Sequence, residues 1–291
     1  MIRVVMDSTC GMTVDEFDKA GITMIPLYVR EGDRVYRDGI DIKPAEFYAK
    51  ERAGVVFESA QTNPDDLVNV FRPILDAGDE IVCVMISGAI SGSINAARVA
   101  VDILEAQDRV SIVDSRQSGY CELMMGRLAK KMADEGKSRA QIVSALEELR
   151  GRTWVFFIME SLHWLYKGGR LTGAQALLGT IIQLKPIVWF DDEGRMVTHD
   201  KIRTLRAGKE RLKELVQEMA SHGVVTAGLH WSDNWDEAKE FGNWMESVLR
   251  VPVEYNRVSC VIGCHVGPAV LGPVIVMRER PQTRNEQGRE G

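Results

Sequence analysis

A chain of 291 residues exceeds one typical domain of about 100 to 200 residues and is long enough to bury two hydrophobic cores. Its 45% hydrophobic and 27% charged residues, with a formal net charge of -6, exclude a disordered chain and a nonspecific nucleic-acid coat. No continuous apolar run approaches the roughly 18 residues of a membrane-spanning helix, and Met1-Ile2-Arg3 opens a strand pattern rather than a signal peptide, so the cytoplasm is the expected compartment.

In chain order, Val4 to Met6, Met24 to Tyr28, Ile81 to Ile86 and Ser111 to Val113 read as strands. Pro64 to Asp76 and Ile94 to Leu104 read as helices between them. Ile94, Ala97, Val101 and Leu104 share one helical face, with Ser91 as the expected N-cap. Alternating strands and helices predict a mainly parallel sheet. The region from Gly119 to Arg150 reads as helical, interrupted at Gly136-Lys137-Ser138, where glycine ends one helix and Ser138 caps the next.

Beyond it, Trp154 to Ile158 and Pro186 to Phe190 resemble strands, Thr204 to Ala220 a charged helix, Val224 to Leu229 a strand and Trp235 to Leu249 a further helix. Pro252 to Asn256 and Pro273 to Met277 read as the last strands. The expected organisation is α/β in two domains, residues 1–155 with a mainly parallel sheet flanked by helices and residues 156–280 as a second α/β unit, followed by a frayed polar tail at 281–291.

Five cysteines, Cys10, Cys83, Cys121, Cys260 and Cys264, form an odd set without zinc spacing, which predicts reduced thiols and no metal. Four apolar stretches run directly into loops of glycine and polar residues: Val4 to Thr9, Val82 to Gly88, Val110 to Ser115 and Val261 to Pro268. Such loops are ordinary strand-to-helix turns or, where they converge at the carboxyl ends of strands, a ligand crevice. The crevice reading makes Asp7, Ser8, Thr9 and Ser87 residues of its lining loops.

Ser87-Gly88-Ala89-Ile90-Ser91-Gly92-Ser93 places hydroxyls and glycine at a helix start, where free N–H groups attract anions, although Ser91 would cap the helix with or without a ligand. His265 lies among small residues in Gly263-Cys264-His265-Val266-Gly267-Pro268, free either to pack or to donate to a carboxylate. Lys167-Gly168-Gly169-Arg170 reads as an anion clamp or as a solvated connector. Lys201 to Arg206 sets positive charge before a helix start, with Thr204 as its cap.

A serine hydrolase or acyltransferase using Ser91 and His265, with Asp7 or Asp114 available as a third member, is the alternative. Gly88-Ala89-Ile90-Ser91-Gly92 has one residue too many for a nucleophile elbow, and no phosphate loop or dinucleotide fingerprint occurs.

Met6-Asp7-Ser8-Thr9, Thr62-Asn63-Pro64, Ser87 to Ser93, Met159-Glu160-Ser161-Leu162 with Lys167 to Leu171, Lys185-Pro186-Ile187, Lys201 to Thr204 and His265-Val266-Gly267-Pro268 occur in this order. Over nearly its whole length the chain thereby resembles the bacterial DegV family, which includes the FakB-like fatty-acid-binding subunits of fatty acid kinase.

The resemblance implies a two-domain protein that holds one long-chain fatty acid between its domains. It would present the carboxylate to a separate ATP-dependent kinase and carry the acyl phosphate toward phospholipid synthesis. The chain itself would be no enzyme and would need no cofactor, nucleic acid or transmembrane segment, with at most a transient contact with the membrane surface. Ser91, the backbone at Gly92 and His265 are the implied carboxylate contacts, and Arg203, or Arg206 in its place, the implied basic residue. The family's carboxylate-binding threonine falls on Gln61, while the adjacent Thr62 keeps a hydroxyl. Burial of an acyl chain at about 0.8 kcal/mol per CH2 gives on the order of 10 kcal/mol gross, enough to retain lipid through purification.

Overall fold

The computed structural model describes residues 1–172 and 184–279, so the polar tail expected at 281–291 lies outside the described residues. In chain order the elements are β1 (Ile2–Asp7), α1 (Val14–Ala20), β2 (Thr23–Ile25), β3 (Tyr28–Glu31), β4 (Arg34–Arg37), α2 (Pro44–Arg52), β5 (Glu58–Ala60), α3 (Pro64–Asp76), β6 (Glu80–Met85), α4 (Ser93–Ile103), β7 (Val110–Asp114), α5 (Tyr120–Asp134) and α6 (Arg139–Gly151). They continue with β8 (Thr153–Met159), α7 (His163–Lys167), β9 (Ile187–Phe190), β10 (Met196–Asp200), α8 (Leu205–Ala220), β11 (Val224–Trp231), α9 (Trp235–Leu249), β12 (Val253–Arg257), α10 (Cys260–Val266) and β13 (Val270–Met277).

Two sheets and three helical layers alternate. The first sheet is parallel, in the order β2-β1-β6-β7. Successive side chains of a strand face opposite ways. Val4, Met6, Val82 and Val84 accordingly join the core shared with α5 and α6, while Val5, Ile81, Cys83 and Met85 face α3 and α4.

The second sheet runs β10-β9-β8-β13-β11-β12 and is antiparallel except between β11 and β12. Val155, Phe157, Met159, Val270 and Val274 meet α5 and α6 from the other side, and Trp154, Phe156, Ile158, Leu271 and Ile275 face α8 and α9. Central strands covered on both faces must be apolar throughout, and every residue of β8 and β13 is buried.

The expected parallel sheet is present, and local caps sit where hydroxyls and amides occur. Ser138 forms a capping box with Gln141 at the start of α6, and Thr204 accepts from the Ala207 N–H at the start of α8. Three expectations are corrected. The Met24 to Tyr28 strand is two strands, because Pro26 lacks a ladder donor and lies between them. β2 stays in the parallel sheet, whereas β3 joins a small antiparallel sheet, β4-β3-β5.

The stretch from Val261 into Gly263 is not a strand. Ser259 caps it by accepting from the Ile262 N–H, and Val261 and Cys264 pack with Phe47 and Tyr48 of α2 as part of helix α10. Finally, Gly92 rather than Ser91 is the N-cap of α4, since Ser91 turns its Oγ toward Ser93 one residue too early.

Helix α10 interrupts the second sheet between β12 and β13 and crosses to the small sheet. Asp38, after β4, fixes this crossing. Its carboxylate accepts from the Cys260 N–H at 3.1 Å and the Ser8 hydroxyl at 3.0 Å, and Ser8 Oγ in turn accepts from the Leu27 N–H. Burial pushes the Asp38 carboxyl above its ordinary range, against the opposing effect of these donors.

Removing this acceptor leaves several buried donors unsatisfied. We expect Asp38→Ala to lower the unfolding free energy by about 2 to 4 kcal/mol in urea denaturation. A loss within about 0.5 kcal/mol, the range of neutral surface changes, would remove Asp38 from this role.

Candidate functional site

A partly enclosed cavity forms where the two large sheets and the small sheet meet, with about 700 Å³ of space when its opening to solvent is counted. Leu27, Ile86, Ile90, Phe157, Met196, Val258, Val261, Ile262, Val266 and Val270 supply its apolar wall. Ser59, Gln61, Ser91, Gly92, Ser118, Arg170 and His265 supply its polar part. Ile86 and Ile90 follow β6 and Ser118 follows β7, so the site opens at the carboxyl ends of the parallel strands, where α/β sheets hold their ligands.

Besides Ser118 after β7, the polar groups come from four separate segments. Ser59 is central in β5, Gln61 follows that strand, Ser91 and Gly92 precede α4, Arg170 follows α7, and His265 is in the last turn of α10. His265 Nε2 lies 2.6 Å from Ser59 Oγ. Its Nδ1 is buried without a hydrogen-bond partner among the described residues and faces Gly168, where any Cβ would collide with the ring. The Gln61 carboxamide lies over Gly92, in the space a Cβ at that position would take.

Arg170 is the one charged side chain on the cavity wall among the described residues. Its Nε donates to the Ile90 carbonyl at 3.3 Å, which ties the guanidinium to the loop carrying Ser91. Burial, with Arg170 nearby, lowers the His265 pKa from its ordinary 6.5 to about 4, so the imidazole is neutral near pH 7. Hydroxyls, a neutral imidazole and one fixed cation form a donor set for an anionic group, facing an apolar wall.

The structure brings Ser91, Gly92, Gln61 and His265 to one cavity. Arg170 joins them, whereas Thr62, Arg203, Asp7, Ser8, Thr9 and Ser87 lie elsewhere. Thr62 is fully buried, with Oγ1 toward Asp66 at the start of α3. Arg203 is exposed at the bend before α8, without an ion-pair partner among the described residues, and it is absent from the cavity wall.

Asp7, Ser8, Thr9 and Ser87 are buried behind the wall rather than on it, because Asp7, Ser8 and Ser87 bond nearby backbone and Thr9 bonds buried carboxyl groups. Asp7 accepts from the N–H groups of Ile86 and Thr9, holding the end of β6, and Ser87 Oγ donates to the Gly194 carbonyl. Thr9 Oγ1 lies 2.6 Å from Asp7 and 2.8 Å from Glu122. One hydroxyl proton cannot serve both carboxylates, so one carboxyl is itself a donor. Burial and the neighbouring Asp7 charge push Glu122 well above the carboxylate range and make it that donor.

Sequence reasoning missed Ser59 and Ser118, and it left Arg170 undecided between clamp and connector. Ser59 carries no local signal, being one serine in a three-residue strand. Among the described residues no helix is long and apolar enough to cross a membrane, and no group of three or more His, Cys, Asp and Glu is placed to hold a metal ion.

The lowered His265 pKa has a consequence for stability. Between about 4 and 6.5 the unfolded chain binds a proton that the folded chain does not, so this contribution is complete above 6.5 and is lost as the pH falls toward about 4. We expect His265→Asn to flatten the acid side of the stability curve in this window, by on the order of 1 kcal/mol per pH unit, as read from urea unfolding at several pH values. An unchanged slope would place the imidazole in water rather than in the cavity wall.

With this geometry in place, residues 1–278 match the family model described as "Uncharacterised protein, DegV family". A DegV domain-containing protein of Caldanaerobacter subterraneus is 31% identical over 276 residues, covering 93% of this chain and 97% of that protein. Two solved structures share the fold over 95% of this chain and 99% of theirs. One is a DegV family protein from Thermus thermophilus described by its fatty acid binding, at 30% identity and a TM-score of 0.85. The other is DegV of Bacillus subtilis, described as a fatty acid binding protein, at 27% identity and a TM-score of 0.86. A family match over nearly all of the described sequence, on a shared two-sheet fold, makes this chain a member of the DegV family.

Proposed function

We propose that this chain binds one long-chain fatty acid between its two units, residues 1–155 and 156–280. The carboxylate sits at the wall of Gln61, Ser91, Gly92 and His265, and the acyl chain runs along the apolar wall. In this reading the chain is a carrier in the cytoplasm. It presents the carboxylate to a separate ATP-dependent fatty acid kinase and carries the acyl phosphate toward phospholipid synthesis.

The observation that carries the binding step is a single cavity joining anion donors to branched and aromatic side chains. A buried carboxylate is costly unless several donors satisfy it, and the hydroxyls, imidazole and guanidinium supply them. The descriptions of the Thermus and Bacillus structures support the same ligand class. The kinase step rests on the family resemblance, and Arg203, exposed and away from the cavity, fits contact with a partner better than contact with the lipid.

The hydrolase alternative requires Ser91 and His265 to act together. Ser91 Oγ instead lies 2.9 Å from Ser93 Oγ, and His265 pairs with Ser59. An imidazole with a pKa of about 4 and no partner at Nδ1 is also a weak general base at neutral pH. These contacts favour holding a carboxyl group over transforming it.

Organic extraction of the purified chain followed by mass spectrometry tests the binding step, with one fatty acid per chain as the expected result. A chain that is empty and takes up no added fatty acid would overturn it. For the transfer step, we expect Ser91→Ala combined with His265→Ala to abolish kinase-dependent phosphorylation of the bound lipid, whereas undiminished turnover would remove both residues from the head-group site.

A further inference from the structure

We propose that Ser59 is a head-group residue of this site, with the His265 imidazole holding its hydroxyl so that the O–H is donated to the ligand's carboxyl group. The inference rests on the fatty-acid reading and adds to it the route by which His265 acts.

The fold commits one ring nitrogen of His265 to a hydrogen bond and buries the other. Nε2 is 2.6 Å from Ser59 Oγ, and Nδ1 faces the backbone of Gly168 with no hydrogen-bond partner. A lipid carboxylate therefore reaches the imidazole through Ser59, which also lines the cavity.

A neutral imidazole carries one N–H, which leaves two arrangements. If Ser59 donates to Nε2, its proton is used inside the protein and the N–H at Nδ1 is a buried donor without an acceptor. If Nε2–H donates to Ser59 Oγ, the serine O–H is free and Nδ1 keeps only an unused lone pair. Orphaned buried donors are the rarer defect in native structures, which favours the second arrangement. An anion in the cavity favours it further, because the anion accepts the freed O–H.

The neighbouring polar groups do not replace this donor. The Gln61 carboxamide lies across Gly92, and Ser91 Oγ already accepts from the Ser93 N–H at 3.3 Å while facing Ser93 Oγ. Arg170, beside His265 on the same wall, makes an anion rather than an uncharged alcohol the preferred acceptor. Ser59 and Ser91 then approach the carboxyl group from β5 and from the loop before α4.

The test uses the full chain, stripped of lipid, with palmitate and cetyl alcohol as probes in calorimetric titration. Ser59→Ala should weaken palmitate binding by about tenfold or more, the size of one hydrogen bond to a charged group, while changing cetyl alcohol binding much less. Ser59→Thr, which keeps a hydroxyl, should recover most of the loss.

Nitrogen NMR of the wild-type palmitate complex should show the His265 proton on Nε2. Palmitate binding equal in wild type and Ser59→Ala, or a proton on Nδ1 in the complex, overturns the role of Ser59 and leaves the fatty-acid reading intact. A wild-type chain that takes up no palmitate overturns both.

Discussion

The placement of α10 depends on a buried carboxylate. Asp38 comes from the turn after β4, yet it accepts from the first N–H of α10 and from Ser8 at the end of β1. Burying that group is unfavourable by itself, and donors from two distant segments offset the cost. The contact therefore works as a selector of arrangement. If α10 were displaced, Asp38 would keep its burial and lose the Cys260 donor, which couples the position of the helix to the small sheet. His265 in the last turn of α10 and Ser59 in β5 inherit their 2.6 Å separation from that anchoring.

The layered core explains why the cavity lies where it does. Helices α5 and α6 fill the space between the two large sheets, and a single cluster of buried side chains runs from Val4 and Met6 through Leu123 and Leu146 to Phe157 and Val274. His230 of β11 ties the layers further by accepting the Tyr120 N–H at the start of α5, at 2.7 Å. Layers packed this closely leave room for a ligand where the packing ends, at the strand ends above Ile86 and Ser118, and α10 closes that edge. Polar side chains reach the cavity from loops and short elements, and its apolar wall combines Phe157, Met196 and Val270 of the second sheet with loop residues and one face of α10.

Charge is distributed accordingly. Arg170, on the cavity wall, is fixed through the Ile90 carbonyl. The carboxyl groups of Asp7 and Glu122 lie behind the loop, where they organise the backbone of β1 and β6. A carboxylate entering the cavity meets donors and a cation, and the nearest buried carboxyl pair holds one proton and thus carries less negative charge than two ionised groups would. The acidic net charge of the chain is thus no obstacle to an anionic ligand, because the local set of groups decides binding.

Several features follow from local sequence alone. The apolar runs at Val4 to Met6 and Ile81 to Ile86 dictate buried parallel strands, Ser138 and Thr204 dictate helix starts, and the glycine and hydroxyl loop before α4 marks an anion-favouring turn, because each signal depends on neighbours within a few residues. The ordered motifs also carried the family resemblance. Tertiary structure decided which polar side chains face the cavity. Asp7, Ser8, Thr9 and Ser87 look equivalent to Ser91 as hydroxyl or acidic residues at strand ends, yet each was turned inward by backbone or carboxyl groups from distant segments. Ser59 and His265, 206 residues apart, gave no joint signal, and α10 read as strand and loop because its short apolar run lacks a decisive period. Periodicity and capping are local and survive in the sequence, whereas the meeting of β5 with α10 depends on a carboxylate at position 38 that no nearby residue explains.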